Sequence, residues 1–186
     1  MKRILLALTG ILAMAPGNSA QQVADKSDKQ DSMKDCPMHE KHQAASAAQD
    51  HAKHELDKRG DQGMGFAQGK TTHHFLLRKD GGAIQVMANS AGDQASKEEI
   101  QMHLRHIAQA FKSGEFNIPM FVHDQTPPGV ATMTRLKNEI HYKYEAAENG
   151  GRVVISSSNA EAVKAVQEFL KFQITEHKTG DALEVK

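Results

Sequence analysis

Histidine, methionine and cysteine are the side chains whose spacing here could do chemistry, and they fall into two groups. The first is the stretch Met102 to His123, MHLRHIAQAFKSGEFNIPMFVH, with three imidazoles and two thioethers in 22 residues. His103 and His106 stand three apart on a predicted helix; Met120 and His123 follow a glycine stop and a proline. At about 100° per residue the two helical histidines share one side, roughly 60° and 120° round from Ile100. Side chains at i and i+3 can converge on one ion. Neutral imidazole binds copper, zinc or nickel, and thioether sulfur prefers Cu(I). Helix-flank histidines bonded to backbone or water would give the same spacing. The pattern is not H-E-x-x-H, because residues 103 to 107 read HLRHI.

The second group is Cys36, Met38 and His39, with His42 close by. These are soft and borderline donors on a short polar segment, which can wrap a thiophilic ion without a preformed cage. The tetrapeptide Cys36-Pro-Met-His39 resembles the short heavy-metal-binding segment of exported metal-efflux proteins. The likeness covers four residues, with Asp35 before them and Glu40 after.

Composition narrows the partners. The chain has 186 residues, 11 histidines, one cysteine, two tyrosines and no tryptophan. A single cysteine excludes an intramolecular disulfide. Lys2, Arg3, the apolar run Ile4 to Ala15 and the small residues up to Ala20 read as a secretory signal. The expected mature chain is periplasmic or secreted, and the apolar run is too short for a stable membrane anchor. Removing Lys2 and Arg3 takes the basic count from 23 to 21 against 23 acids. That near-neutral balance argues against general binding to nucleic acid or membrane surfaces.

Residues 21–70 read as a flexible tail and linker. Gln21 to Lys34 has little to bury and is expected to be disordered. His51 and His54 share one side of a solvated helix, and four glycines between 60 and 69 read as a linker. The folded domain is expected over 71–181. Thr71 to Arg78 and Ala83 to Asn89 read as a hairpin, with His73, Phe75 and Leu77 on one face. Ser96 and Glu99 fit a capping box that starts a helix ended by Gly114. Glu115 to Gly129 reads as a connection, and Val130 to Asn138 as a short helix. Ile140 to Glu145 and Arg152 to Ser156 form a second hairpin, and Asn159 caps a last helix to about His177.

The two hairpins resemble each other. HHFLLRKDGGAIQV and IHYKYEAAENGGRVVI both carry Gly-Gly in the turn, with His74 set against His141. Leu104 sets on Leu170 and Gly114 on Gly180 without a gap between the helices. Internal duplication and the general likeness of any two hairpin–helix units both account for this. Either way the fold class is α+β: an antiparallel four-stranded sheet with helices on one face, in the order ββα-(α)-ββα. In the helix alignment His103 and His106 take the places of Phe169 and Phe172. Gln173 and His177 take those of Ile107 and Phe111, core-facing angles at which a buried polar pair should be hydrogen-bonded. Helix fraying would also account for that pair.

The runs MGFAQGKTTHHF, HLRHIAQAFKSGEFNIPMFVH, PPGV and FLKFQITEHKTGD, spanning most of residues 60–181, resemble a family of small exported bacterial proteins. That resemblance implies one folded domain behind a variable tail and brings neither an activity nor site residues.

The expectation is an exported metal-binding protein that buffers, carries or confers resistance to copper, with zinc as the other ion. Cys36, Met38, His39 and His42 would capture metal on the tail. His103, His106, His123 and Met120 would form the domain site. A metal-efflux or other periplasmic protein would be its partner. The alternative is a small-ligand enzyme using His123 and Asp124, or a binding module using the pocket or the outer sheet face with His74, His141 and Lys143. No acid pair, Ser-His-Asp or phosphate-loop signature supports established enzyme chemistry.

Overall fold

A computed structural model of the chain describes His51 and residues 53–185. The signal segment and the tail donors Cys36, Met38, His39 and His42 lie outside the described residues. The described part holds helix α1 over 53–64, strands β1 (Thr71–Arg78) and β2 (Gly81–Ala88), and helices α2 (Gln94–Ser113), α3 (Asn117–His123) and α4 (Val130–Arg135). Strands β3 (Ile140–Ala147) and β4 (Gly150–Ser157) and helix α5 (Ala160–His177) complete it. The sheet is antiparallel throughout, in the order β1-β2-β4-β3. The expected α+β class is therefore observed. Among the described residues no helix is long and apolar enough to cross a membrane.

The two hairpins are related by a local two-fold axis. An offset of 69 residues carries Thr71 to Ile140, Gly81 to Gly150 and Ile84 to its own partner across the central pair, Val153. The Ile84–Val153 pair therefore sits on the axis. This register sets His74 against Lys143, correcting the match of His74 with His141. An offset of 66 residues relates the helices, placing buried Ile100 on Val166 and Leu104 on Leu170. Each helix crosses over: α2 lies on β3 and β4, α5 on β1 and β2. Glycine makes that approach possible. A Cβ on Gly82 would strike Leu170, and one on Gly151 would press on Leu104.

Helix ends follow local chemistry. Asp93, not Ser96, caps α2: its carboxylate accepts from Ser96 N at 3.0 Å and from the Ser96 hydroxyl at 2.8 Å. Gly114 ends α2 with φ 84°, a left-handed turn that glycine adopts without strain. Asn159 caps α5 through Glu161 N at 2.8 Å. The segment read as a connection contains α3. Pro119 is compatible with it because it stands in the first turn, where a backbone N–H has no helical partner to lose.

The folded unit starts before Thr71. Leu56 on α1 is buried, and Phe66 belongs to the main core. Arg59 donates to Val122 O at 2.8 Å, tying α1 to the end of α3. Residues 53–70, expected as tail and linker, are thus part of the domain.

Candidate functional site

Polar groups from different elements meet at one end of the core. His73 stands on the helix-facing side of β1, His103 on the flank of α2, and His123 and His177 are the last residues of α3 and α5. Gln173 lies one turn before His177. These five residues, with Met64 of α1, line a cavity of about 60 Å³ whose other walls are hydrocarbon. Among the described residues no Asp, Glu, Lys or Arg lines it.

The rings pack face and edge. His73 and His177 are 6.1 Å apart between centroids with planes 8° apart. His123 meets His177 edge-on at 5.0 Å. Phe66 packs on two of the rings, stacked on His73 at 6.1 Å and edge-on to His103 at 5.5 Å. The one hydrogen bond among these groups joins His123 Nε2 to Gln173 Oε1 at 2.9 Å. Three buried polar atoms here have no partner: His73 Nε2, His123 Nδ1 and Gln173 Nε2. Buried polar groups are seldom left so, and three in one cavity mark a place where a bound group would be satisfied.

Burial sets the protonation state. It is the main cause that lowers His73 and His103 to about 4 and His177 to about 3, with neighbouring imidazoles adding to it. His123 is also lowered, first by burial, against the raising effects of Gln173 and Glu176. All four rings are therefore neutral at pH 7, the state in which imidazole carries a free lone pair. Three of the rings also border the surface: His73 and His177 a groove of about 270 Å³, and His123 one of about 400 Å³.

The residues expected to form the domain site are divided by this geometry. His103 and His123 share the cavity. His106 is exposed and borders a separate recess with Glu115 and Asn117. Met120 is 38% exposed and lies outside the cavity. Asp124 is exposed, ends α3 in a left-handed conformation and does not border the cavity. On the outer sheet face, His74 Nδ1 is engaged by Asp181 at 2.9 Å and Lys143 by Glu145 at 3.0 Å. Among the described residues no group of three or more His, Cys, Asp or Glu side chains is placed to hold a metal ion as it stands. Met64 carried no signal in the sequence beyond its sulfur. Gln173 and His177 did: both are polar residues at core-facing helix angles.

The fold and site together define a two-layer α+β domain with a neutral histidine cavity at one end of its core. No known family, curated protein or solved structure matches the chain.

Proposed function

We propose that this is an exported metal-binding protein, with copper as the ion its donors suit, serving as buffer, carrier or resistance factor. What carries the reading is four neutral imidazoles on one cavity, two with a buried nitrogen lacking any partner, beside the Met64 thioether. Metal ligands must be deprotonated, and burial keeps these rings so. Two imidazoles on one ion, bonded at about 2.0–2.1 Å, hold their ring centres roughly 5–6 Å apart. His123 and His177 stand at 5.0 Å, His73 and His177 at 6.1 Å. The faces of His73 and His177 are nearly parallel, so binding requires at least one ring to turn. The basic, apolar and small-residue succession at the N-terminus supports export, and Cys36, Met38, His39 and His42 supply soft donors ahead of the domain. The proposed domain donors are His73, His103, His123 and His177 with Met64.

The test isolates the domain site in the full mature chain by silencing the tail with Cys36→Ser, Met38→Ala, His39→Ala and His42→Ala. Titration with Cu(I), Cu(II) and Zn(II) should show one tight equivalent that is lost in His73→Phe and His177→Phe. Binding no tighter than that of a scrambled histidine-rich peptide sinks the proposal.

A second reading is a pocket for a small uncharged molecule. The hydrocarbon walls and the unpartnered Gln173 amide favour it, since such pockets pair apolar lining with a few polar anchors. A screen of uncharged fragments by thermal shift checks it. Stabilisation that survives a chelator and vanishes in Gln173→Leu supports this reading over the metal.

A further inference from the structure

The cavity is unusual in the charge it offers an ion. Its polar lining consists of neutral imidazoles, one amide and a thioether, with no carboxylate. The acid that acts on His123 is Glu176, a partly exposed residue that borders the outer groove and not the cavity. We propose that the cavity selects a monovalent soft cation, Cu(I) or Ag(I), over Cu(II) and Zn(II), and that the absence of charge at Gln173 preserves this preference. The inference rests on the metal-binding reading and narrows it.

The first argument is the cost of desolvation. Moving an ion from water into a low-dielectric site costs free energy that grows as the square of its charge, about four times more for a divalent than a monovalent ion. Protein sites for divalent ions offset that cost with thiolates, carboxylates or retained water. Here the walls are hydrocarbon and all donors are uncharged. Of these donors the Met64 thioether is the soft one, which prefers Cu(I), and the neutral imidazoles also bind copper.

The second argument concerns Gln173. A metal-bound histidine commonly gives its other N–H to a carboxylate, which raises the ring's basicity and adds negative charge to the centre. His123 Nε2 instead meets the Gln173 amide oxygen, at 2.9 Å. That contact makes Nε2 the protonated nitrogen and leaves Nδ1, buried and without a partner, as the free base. The amide thus orients the ring and selects its tautomer while contributing no charge. Gln173 is only 4% exposed, at the α5 position where α2 carries Ile107. A glutamate there would have almost the same shape, so the uncharged group is the distinguishing feature.

The experiment uses the tail-silenced full mature chain without oxygen, with Ag(I) as a redox-stable monovalent probe beside Cu(I), and Zn(II) and Co(II) as divalent probes. Competition against chelators should show Cu(I) and Ag(I) bound and Zn(II) and Co(II) weaker by about a hundredfold. Gln173→Glu should raise Zn(II) and Co(II) affinity by about tenfold or more and change the Co(II) ligand-field spectrum. Gln173→Leu keeps the cavity uncharged and should retain the monovalent preference even where affinity falls. Zn(II) bound as tightly as Ag(I) by the wild type overturns this inference and leaves the metal reading standing. An unchanged Zn(II) affinity in folded Gln173→Glu, or loss of the preference in Gln173→Leu, overturns the role of Gln173. Failure to bind any of the four ions overturns both proposals.

Discussion

In one half of the domain Phe111 of α2 meets Tyr142 of β3, ring centroids 5.9 Å apart; at the two-fold-related place in the other half, His177 of α5 meets His73 of β1 at 6.1 Å. Ile107 and Gln173 take the equivalent helix positions, and both border the cavity, one with hydrocarbon and the other with an amide. The backbone plan is shared, and what differs is the chemistry placed on it. The aromatic half also contains Phe116 stacked on Phe111 at 4.4 Å, and of the Phe111–Tyr142 pair only the Tyr142 hydroxyl is a buried polar group without a partner. The histidine end leaves three buried polar atoms without partners. A fold that can fill these positions with hydrocarbon has them filled with imidazole and amide, at a cost in stability. The difference teaches that packing alone does not account for the histidines.

The largest effect should come from exchanging one pair of equivalent positions. Phe111→His puts a desolvated polar ring into the hydrocarbon wall of the cavity and removes aromatic packing, so it should cost about 3–5 kcal/mol by urea denaturation. His177→Phe makes the converse change and should leave stability equal or higher. Destabilisation by both exchanges to the same extent would break the comparison.

Acid should act on one end only. His73, His103 and His177 have folded values of about 4, 4 and 3, below their ordinary 6.5. The fold therefore favours the neutral ring, and this stability is fully present above about pH 6.5. It is lost as pH falls through that value towards 4 and 3. The groups facing these rings are His74 beside His73, and His123 with Arg59 and Glu176 around it. Thermal melts between pH 7 and 4.5 should show a slope that the double variant His73→Phe/His177→Phe flattens.

Gln173→Leu removes the partner of His123 Nε2 and leaves that ring buried without a hydrogen bond. It also removes the unpartnered amide nitrogen, so the net loss should be about 1–2 kcal/mol in chemical denaturation. The smallest effect belongs to the aromatic half. The Tyr142 hydroxyl is buried without a partner, and burial pushes its pKa up. Tyr142→Phe should therefore be neutral or stabilising by less than about 1 kcal/mol, read as a melting temperature equal to or above wild type.

Much of the fold was legible because local signals agreed. Alternation placed His73, Phe75 and Leu77 on one strand face, and β1 and β3 begin at the expected residues. Gly114 and Asn159 marked helix ends that capping chemistry requires. The start of α2 was missed because Ser96 and Asp93 are both good capping residues, and Asp93 reaches the free N–H groups first. The helix α3 was missed because a proline and four hydrophobic residues in seven give no clear period. Residues 53–70 were misjudged because their polar composition hides two buried anchors, Leu56 and Phe66.

The site was legible only in part. Spacing drew attention to His103 and His106, three apart, yet one faces the cavity and the other the solvent. His103 lines the cavity with Val122 and His123 near the end of α3, whereas His106 stays exposed beside Asn117 at its start. His73 and His177 are 104 positions apart in the chain, and the crossing of α5 onto β1 brings them together.

Met102 to His123 therefore keeps two of its three histidines as cavity residues and loses Met120 and His106 to the surface. The amino-acid order by itself determined the strands, the long helices and the imidazoles available, because periodicity and capping act over a few residues. Which imidazoles share a cavity, and that they are neutral there, was decided by the tertiary structure. Convergence and desolvation depend on surfaces contributed by elements distant in the chain.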